Sequence, residues 1–517
     1  MTLGQKHIFP FAVAVFCLMT VLDVRAAHAA TYYVDPAGLD TNAGTESQPF
    51  KTIQKASNVA KAGDTVYVKT GTYARFTITN SGSAAGGYIT FSAAPGHERM
   101  AVVNGGATGG SCIYSIGKDY IAIKNFKVTN CGKAGIWVEG SSALNKGMRI
   151  SGNHISYTKS MAIAAVGLIF TGNTSQEDRL SDVIIEDNEI TKTNEPSGVN
   201  EGISVGNGLA DFIIRNNHLY DSQQYGIDVK KGGKNGQIYG NHIHGFEKHA
   251  IYLDSAGRYV RDIDIHRNRM YNNRNGVVMA RENGNPAFIE RIRVFNNLIY
   301  GNEKYGVLLY KHVDDNGTGA FDSIDFLNNT LVGNGISGFE FTSTVTLSNI
   351  AVKNNIGYLN GSDMRNSAGA AVTAEINLFG TDPQFENQSS GDFHLRAGSA
   401  AIDAGTAVGV GRDYDGYLRS GRPDLGAYEY QGATVPPPEP TPPPVSAWDT
   451  WIESHKAVDR THGILFVSDD GDNWHKSGIQ SASDWDGWLE SLKDIDHLHG
   501  LIFFSDDGAM FGASTFD

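Results

Sequence analysis

The sequence predicts an all-β protein whose main domain is a parallel β-solenoid, a stack of short coils. One asparagine recurs at spacings of 24–32 residues from Asn188 onward, each time close before an apolar residue. A small residue also leads a short strand in each repeat. Units of this size cannot bury an apolar face alone, so stacked neighbours must bury it together. A β-propeller needs about 40–45 residues per blade and is disfavoured. The recurring asparagines are Asn153, Asn188, Asn217, Asn241, Asn268, Asn297, Asn329 and Asn355.

The strands inside the repeats are short and alternate apolar with other residues, which is the two-residue period of a pleated strand. Examples are Gly226–Val229, Ala250–Leu253 and Gly306–Leu309. Asparagine tolerates the left-handed backbone of a turn, and stacked asparagine side chains can hydrogen-bond from coil to coil. The repeats therefore predict strands that lie in register, with asparagines stacked at their turns.

The first coil needs a cover, because the open end of a solenoid is an exposed sheet edge. Residues 52–62 place Ile53, Ala56 and Ala60 on one helical face, and Gly63 ends the pattern. We expect an N-terminal capping helix here, followed by a first strand at residues 65–68.

The chain divides into four predicted segments. Residues 1–30 have the pattern of a secretory signal: Lys6, an apolar run from Ile8 to Leu22, and a small-x-small site near Ala29. The solenoid covers residues 31–433, and residues 434–445 form a proline-rich linker. Residues 446–517 hold two copies of a repeat spaced by 37 residues, which predicts a small separate module.

This organisation predicts a secreted protein, extracellular or periplasmic, without membrane insertion. The apolar run of the signal is shorter than the roughly 20 residues that span a bilayer. We expect a monomer. Cys112 and Cys131 remain after signal cleavage, and the sequence leaves their pairing open.

The charge distribution argues against a nucleic-acid partner. The formal net charge is −14, and the tail module holds 14 acidic against four basic residues. The solenoid is nearly balanced, with 40 acidic and 36 basic residues, so no basic field for nucleic acid exists. An anionic substrate would need a local cationic groove.

Two segments resemble a known group of proteins. Residues 32–35, 44–45, 49–53 and 63–66 (YYVD, GT, PFKTI and GDTV) resemble the N-terminal segment of bacterial right-handed parallel β-helix proteins, which include the family nine pectate lyases. Residues 382–385, 391–395, 401–405 and 425–430 resemble the closing segment of the same group. The resemblance implies a right-handed β-helix that acts on polysaccharide. Lyases, hydrolases, epimerases and binding proteins share this scaffold.

Residues of the central coils are predicted to line one outer wall, if the strands stack in register about 4.8 Å apart. β-Elimination from a uronate needs neutralisation of the substrate carboxylate and a base that removes the neighbouring proton. We expect Lys230 as base, Arg281 as neutraliser, and Tyr310 or Tyr252 as proton donor. The wider prediction adds Tyr252, Lys311 and His312 as substrate contacts, and Asp228, Asp254 and Glu282 as ligands of a Ca²⁺ ion.

The local motifs compare with lyase families in part. The strand of Lys230, followed by Asn241, resembles the catalytic strand of family six alginate and chondroitin lyases. The Asp-Asp-Gly-x-Asp calcium motif of family nine corresponds here to residues 224–228, which keep only the last acid, Asp228.

The leading functional hypothesis is a lyase that cleaves a uronate-containing polysaccharide. Two alternatives remain open: a non-catalytic protein that binds exopolysaccharide, and a glycoside hydrolase that uses Asp314 or Asp315. Outward charges on a solenoid are also often merely solvated. His242, His244, His249 and His266 are spread over two coils. A zinc site formed by them stays an open alternative, although they lack the spacing of a zinc motif.

The tail module offers a second sugar-binding hypothesis. Residues 468–474 resemble a shortened Asp-box turn, a structural element of sialidase-like β proteins. Trp448, Trp451, Trp485 and Trp488 can stack on sugar rings or, at helical spacing, form a core.

Overall fold

The computed structural model describes residues 29–167, 178–193, 201–282, 287–312, 318–369 and 371–432. It also describes the backbone of four strands between residues 465 and 515. Within the main body the chain winds through three long parallel sheets, which have 13, 12 and 11 strands. The predicted parallel β-solenoid is thereby confirmed. We name the sheets 1, 2 and 3 in the order in which each coil passes through them.

Sheet 1 pairs the first strand of each coil. Its members are β1 (Thr31–Val34), β2 (Thr65–Val68), β5 (Ile89–Ala93), β8 (Ile121–Lys124), β11 (Asn145–Ser151), β14 (Leu180–Glu186), β17 (Ala210–Arg215), β20 (Lys234–Tyr239), β23 (Tyr259–His266), β26 (Phe288–Phe295), β29 (Phe321–Leu327), β32 (Leu347–Lys353) and β35 (Val372–Glu375).

Sheet 2 pairs the second strand of each coil. Its members are β3 (Gly71–Ala74), β6 (Ala101–Asn104), β9 (Lys127–Cys131), β12 (His154–Thr158), β15 (Glu189–Thr193), β18 (His218–Ser222), β21 (His242–Phe246), β24 (Arg269–Tyr271), β27 (Leu298–Tyr300), β30 (Thr330–Val332), β33 (Ile356–Tyr358) and β36 (Leu378–Phe379).

Sheet 3 pairs the third strand of each coil and carries the candidate site. Its members are β4 (Phe76–Thr77), β7 (Ile113–Ile116), β10 (Ile136–Glu139), β13 (Ile163–Val166), β16 (Ile203–Gly206), β19 (Tyr225–Lys230), β22 (His249–Asp254), β25 (Asn275–Arg281), β28 (Tyr305–Lys311), β31 (Ser337–Phe341) and β34 (Met364–Asn366).

The inner faces of the three sheets form one continuous apolar core. Ile227, Ile251, Val277 and Val307 are successive register partners in sheet 3, and each is fully buried in this core. The inward residue of every strand thus stacks on its equivalents in the coils before and after. This arrangement explains why no single repeat could be stable alone.

The predicted asparagine ladder is confirmed. In the column from Asn153 to Asn355, each side-chain amide donates to the side-chain oxygen of the next asparagine at 2.9–3.0 Å. Asn377 extends this column by one coil. A second column, Asn273, Asn302, Asn334 and Asn360, makes the same contacts five residues further along. Most of these amides are buried. The first column satisfies backbone groups at the turn between sheets 1 and 2, and the second column does so at the turn between sheets 2 and 3.

The ends of the solenoid carry additional segments. The helix α1 occupies Ile53–Val59, within the predicted residues 52–62, and Thr52 caps it by accepting the N–H of Lys55 at 3.1 Å. After the last coil, β37 (Phe385–Asn387) and β38 (Asp392–Leu395) form an antiparallel pair. Apolar residues of this closing segment, up to Tyr428, pack on the outer face of sheet 2.

The structure answers the open question of the cysteine pairing, and several other predicted features lie outside the described residues. Cys112 and Cys131 form a disulfide, with 5.4 Å between their Cα atoms. The signal segment up to residue 28, the linker and the Asp314–Asp315 pair lie outside the described residues. In the tail, β39 (Leu465–Ser468), β40 (His475–Lys476), β41 (Leu501–Asp506) and β42 (Ala509–Thr515) form one sheet. No helix in the described part of the chain is long and apolar enough to cross a bilayer.

Candidate active site on the outer face of sheet 3

The coils of sheet 3 align the predicted site residues in two vertical columns. One column contains Lys230, Asp254, Ala280 and Tyr310 as successive register partners. The neighbouring column contains Asp228, Tyr252, Val278 and Leu308. The vertical alignment that the sequence predicts for Lys230, Asp254 and Tyr310 is therefore present.

These columns lie on the outer face, because the alternate residues of the same strands are in the core. Ile227 and Val229 point inward, so Asp228 and Lys230 point outward from the same strand. Tyr252 and Val278 belong to an apolar cluster on this outer face, together with Ala280 and Leu308. The outer wall is thus partly buried, and its charged groups lie in an environment that is poor in water.

Lys230 is held by two carboxylates. Its Nζ atom lies 2.8 Å from Oε1 of Glu201 and 2.9 Å from Oδ2 of Asp228. The Lys230 side chain is 18% exposed, whereas Glu201 and Asp228 are almost fully buried. Burial opposes the charge on Lys230, but the two carboxylates outweigh it and raise the pKa of the ammonium group. Lys230 is consequently protonated at neutral pH.

Burial alone would lower the pKa of Lys230, but it raises the pKa of the neighbouring carboxyl groups, because it disfavours the charged form in both cases. It raises the pKa of Asp228 well above the ordinary range, although Lys230 opposes this shift. It also raises the pKa of Asp254 to about 7, with a further contribution from Glu282. A carboxyl group that changes charge near neutral pH can take or give a proton during a reaction.

Two tyrosines lie above these carboxylates along the wall. The hydroxyl of Tyr252 donates to Oε1 of Glu282 at 2.5 Å, and the hydroxyl of Tyr310 lies 3.4 Å from that of Tyr252. Burial raises the pKa of both tyrosines, so both keep their protons. Tyr252 is 1% exposed and packs in the apolar cluster of the outer face, whereas Tyr310 is partly exposed.

Arg281 is not brought to Lys230. Its position follows Ala280 in β25, so alternation places its Cβ on the side opposite to the outward residue Ala280. Arg281 as a whole is 4% exposed, and its Nη1 donates to the backbone carbonyl of Gly319 at 2.6 Å. Lys311 is the register partner of Arg281, and His312 follows at the strand end, where its backbone N–H donates to the carbonyl of Arg281. Lys311 and His312 are partly exposed.

The sequence analysis missed two residues of the site. Glu201 contacts Lys230 directly, and the ring of Tyr225 packs in a tilted arrangement against that of Tyr252, with 4.7 Å between centroids. Glu201 precedes β16 and lies outside the strand pattern on which the prediction depended. The register of Ile203 with Ile227 is the signal that places Glu201 at the level of Tyr225.

The three predicted calcium ligands lie on the same wall but do not form one ion-binding cluster. Asp228 and Asp254 lie in neighbouring coils, and Glu282 contacts Tyr252. Within the described residues these carboxylates do not form a three-membered cluster of ion-binding oxygens. Calcium binding stays a prediction.

Comparison with known proteins identifies the kind of scaffold. The family described as Pel9A-like, right handed beta helix region matches residues 32–178, and the right handed beta helix region family matches residues 165–318. Together with the three parallel sheets, these two matches show that the chain has the right-handed β-helix fold. The handedness implied by the N-terminal resemblance is thereby confirmed.

Individual relatives of this chain are distant or match only a short part of it. It is 26% identical to the uncharacterized protein YwoF of Bacillus subtilis over 309 residues, which are 53% of this chain and 63% of that protein. It is 43% identical to pectate lyase PEL9 of Emericella nidulans over 67 residues, which are 12% of this chain and 16% of the fungal enzyme. The chain thus spans less than two thirds of the length of both relatives.

Two solved structures share the fold. The structure of XylC in complex with xylose aligns with a TM-score of 0.54 and 15% identity, covering 77% of this chain and 98% of XylC. The crystal structure of pectate lyase Pel9A aligns with a TM-score of 0.52 and 18% identity, covering 78% of this chain and 96% of Pel9A. Both comparisons support the β-helix architecture.

Proposed function

We propose that this protein is a polysaccharide lyase that cleaves a uronate-containing polysaccharide by β-elimination on the outer wall of sheet 3. The observation that carries the proposal is the placement of Lys230 between Asp228 and Glu201, one coil from Asp254 and in one column with Tyr310. The match to the Pel9A-like family and the likeness to pectate lyase PEL9 support the substrate class. We further propose that the protein is secreted, as its N-terminal pattern predicts.

The pKa shifts and contacts favour roles for Lys230, Asp254 and Arg281 that differ from those predicted from the sequence. The ammonium group of Lys230 keeps its proton, so it suits the neutralisation of a substrate carboxylate better than the removal of a proton. Asp254 has a pKa of about 7 and is the carboxylate that suits the role of base. Arg281 is engaged by the carbonyl of Gly319, so we assign it no contact with substrate.

The proposed elimination uses the side chains of Lys230, Asp254 and Tyr310. Lys230 pairs with the substrate carboxylate, which acidifies the proton on the adjacent carbon. The carboxylate of Asp254 takes that proton, a carbon–carbon double bond forms, and the bond to the leaving glycosidic oxygen breaks. The hydroxyl of Tyr310 gives its proton to the leaving oxygen. Tyr310 then regains a proton from water, and the hydroxide formed takes the proton held by Asp254, so that both residues are restored and no water is consumed. A Ca²⁺ ion bound between substrate and protein carboxylates would supply additional positive charge, and we keep it as part of the proposal.

The test is an assay for unsaturated sugar ends. The full chain is incubated with polygalacturonate, alginate and bacterial exopolysaccharides, with Ca²⁺ or with a chelator, and the ultraviolet absorbance of the new double bond is followed. Lys230→Gln should abolish the signal, because neutralisation of the substrate carboxylate is lost. Lys231→Gln removes the same charge from the next, exposed residue and should keep most of the activity. No unsaturated product from any uronate polymer, with Ca²⁺ present, would refute the proposal.

A second candidate function is glycoside hydrolysis, and one observation favours it. A carboxyl group with a pKa near 7 beside an ionised carboxylate is the arrangement that hydrolases use for their acid and their base. Asp254 and Glu282, whose charge contributes to the raised pKa of Asp254, provide two carboxyl groups near each other on this wall. Hydrolysis would yield new reducing ends without the double bond, so the same incubations separate the two reactions.

A non-catalytic role as an exopolysaccharide-binding protein is the third possibility. It predicts that polymer is retained on the protein and that its length does not change.

A further inference from the structure

A second cluster of functional side chains lies on the outer face of sheet 2, apart from the site on sheet 3. His218 and His242 are register partners in β18 and β21, and His244 is two residues beyond His242 on the same face. Each offers one ring nitrogen, and the three nitrogens lie within 4.8 Å of one another. The Nε2 atoms of His218 and His244 are 3.1 Å apart.

We propose that His218, His242 and His244 bind a divalent transition-metal ion, with Zn²⁺ as the best fit. Zinc takes imidazole ligands at about 2.0–2.1 Å in a tetrahedron, which corresponds to nitrogens about 3.3 Å apart. The distance between His218 and His244 already matches this edge. His242 must turn its ring slightly, because its Nε2 now lies 3.1 Å from the hydroxyl of Tyr271.

The backbone holds the three imidazoles in place before any ion arrives. β18 and β21 are hydrogen-bonded partners in the middle of a long sheet, and Leu219 and Ile243, which alternate with the histidines, are fully buried in the core. Ligands on paired strands are positioned more rigidly than ligands on loops. All three histidines are partly exposed, so an ion can reach them from solvent.

The surrounding charges are mixed but permit a cation. Burial and the neighbouring histidines lower the pKa of His242 to about 4, so its ring is neutral and has a free lone pair at neutral pH. Glu189 is the register partner of His218 and brings a negative charge, which it shares with Arg99 and Tyr220. Asp221 adds a second negative charge near His244, whereas Arg269 on the following coil opposes an ion.

The geometry leaves the fourth position of the tetrahedron without a protein ligand from this trio. Three histidines and an open position are the ligand set of catalytic zinc, whereas structural zinc is usually enclosed by four protein ligands. The site would therefore carry an exchangeable water. This inference is independent of the proposed lyase chemistry, which uses other residues on another sheet.

The test uses the full-length chain without an affinity tag, freed of metal by a chelator and then titrated with Zn²⁺ in a calorimeter. The tail contains further histidines, so the binding is read as a difference between the wild type and the variants His218→Gln and His244→Gln. Each variant should bind one equivalent of Zn²⁺ less than the wild type, or bind that equivalent with an affinity reduced by more than about 10–100-fold. Removal of an outer-shell partner of a metal ligand causes a loss of that size, and removal of a ligand should exceed it. His97→Gln, which changes two hydrogen bonds of the ring with Thr70 away from the cluster, is the matched control and should bind like the wild type.

A second measurement separates metal binding from a folding defect. Without metal, the circular dichroism spectra and melting temperatures of the variants should match those of the wild type. Added Zn²⁺ should raise the melting temperature of the wild type and of His97→Gln more than that of either cluster variant, because only an intact cluster binds the ion in the folded state. Co²⁺ in place of Zn²⁺ should give the absorption bands of a tetrahedral nitrogen site. Equal stoichiometry and affinity in the wild type and both cluster variants would overturn the proposal.

Discussion

The asparagine ladder gives the most direct test of how the coils are held together. Asn241 is 1% exposed, and its amide donates to Oδ1 of Asn268 at 3.0 Å and to the carbonyls of Ile214 and Tyr239 at 2.9 and 3.1 Å. Its side-chain oxygen accepts the backbone N–H and the side-chain amide of Asn217, both at 3.0 Å. The substitution Asn241→Ala therefore removes five hydrogen bonds at once.

The expected loss follows from these contacts. A buried hydrogen bond contributes about 1 kcal/mol net, and a partner left without water costs more, so we expect the free energy of unfolding to fall by about 3–5 kcal/mol. Chemical denaturation followed by circular dichroism measures this change. Asn58 lies on the exposed face of α1, where its side-chain oxygen accepts hydrogen bonds from Gln54 and Thr79. Asn58→Ala is the control and should cost no more than about 1 kcal/mol, because water can replace these exposed partners. A loss below about 1 kcal/mol for Asn241→Ala would refute the view that the ladder is a main source of stability.

Three further predictions concern single groups. Asp254→Asn should abolish catalysis yet raise the free energy of unfolding above neutral pH. The raised pKa of Asp254 means that folding favours its protonated form, so the wild type loses stability as pH rises to about 7. Unfolding curves at several pH values measure this difference. Burial opposes the charge on His394, but hydrogen bonds to Asp415 and Asp392 outweigh it and raise its pKa to about 9. The stability that His394 adds should be complete below about pH 6.5 and vanish as pH rises through about 9, and His394→Gln should flatten this dependence. Reduction of the disulfide between Cys112 and Cys131, which are 19 residues apart, should lower the free energy of unfolding by about 3 kcal/mol, and melting with and without reductant tests this.

The fold was predictable because one pattern repeats through the coils between Asn153 and Asn355. Each ladder asparagine marks the same turn, and each small residue marks the start of a strand in sheet 3, so errors in single coils do not matter. The second ladder was missed although its signal is present, since Asn273, Asn302, Asn334 and Asn360 each lie five residues after a ladder asparagine. The disulfide was not predictable, because sequence spacing does not give a Cα–Cα distance.

The site was predictable only where strand alternation applies. Lys230, Asp254 and Tyr310 share one column because a two-residue period and the coil register fix their positions. Arg281 was expected just beyond its strand, but β25 continues through it, and one further step of alternation turns the side chain away from the outer wall. Glu201 precedes its strand, so the alternation within β16 did not include it, although the coil repeat aligns it with Tyr225.

The charge balance of the site links binding to catalysis. Lys230 faces Asp228, Glu201 and Asp254, and with all three carboxylates ionised this group would carry a net negative charge and repel a polyuronate. Because the pKa of Asp228 is raised and that of Asp254 is about 7, protons neutralise part of this charge in mildly acidic solution. Binding of the polyanion should therefore strengthen as pH falls, whereas removal of the substrate proton by Asp254 needs the ionised form and should quicken as pH rises. In a lyase with these roles, kcat and KM for a polyuronate both increase through about pH 7, and a KM that does not change with pH would contradict the assignment of Asp254.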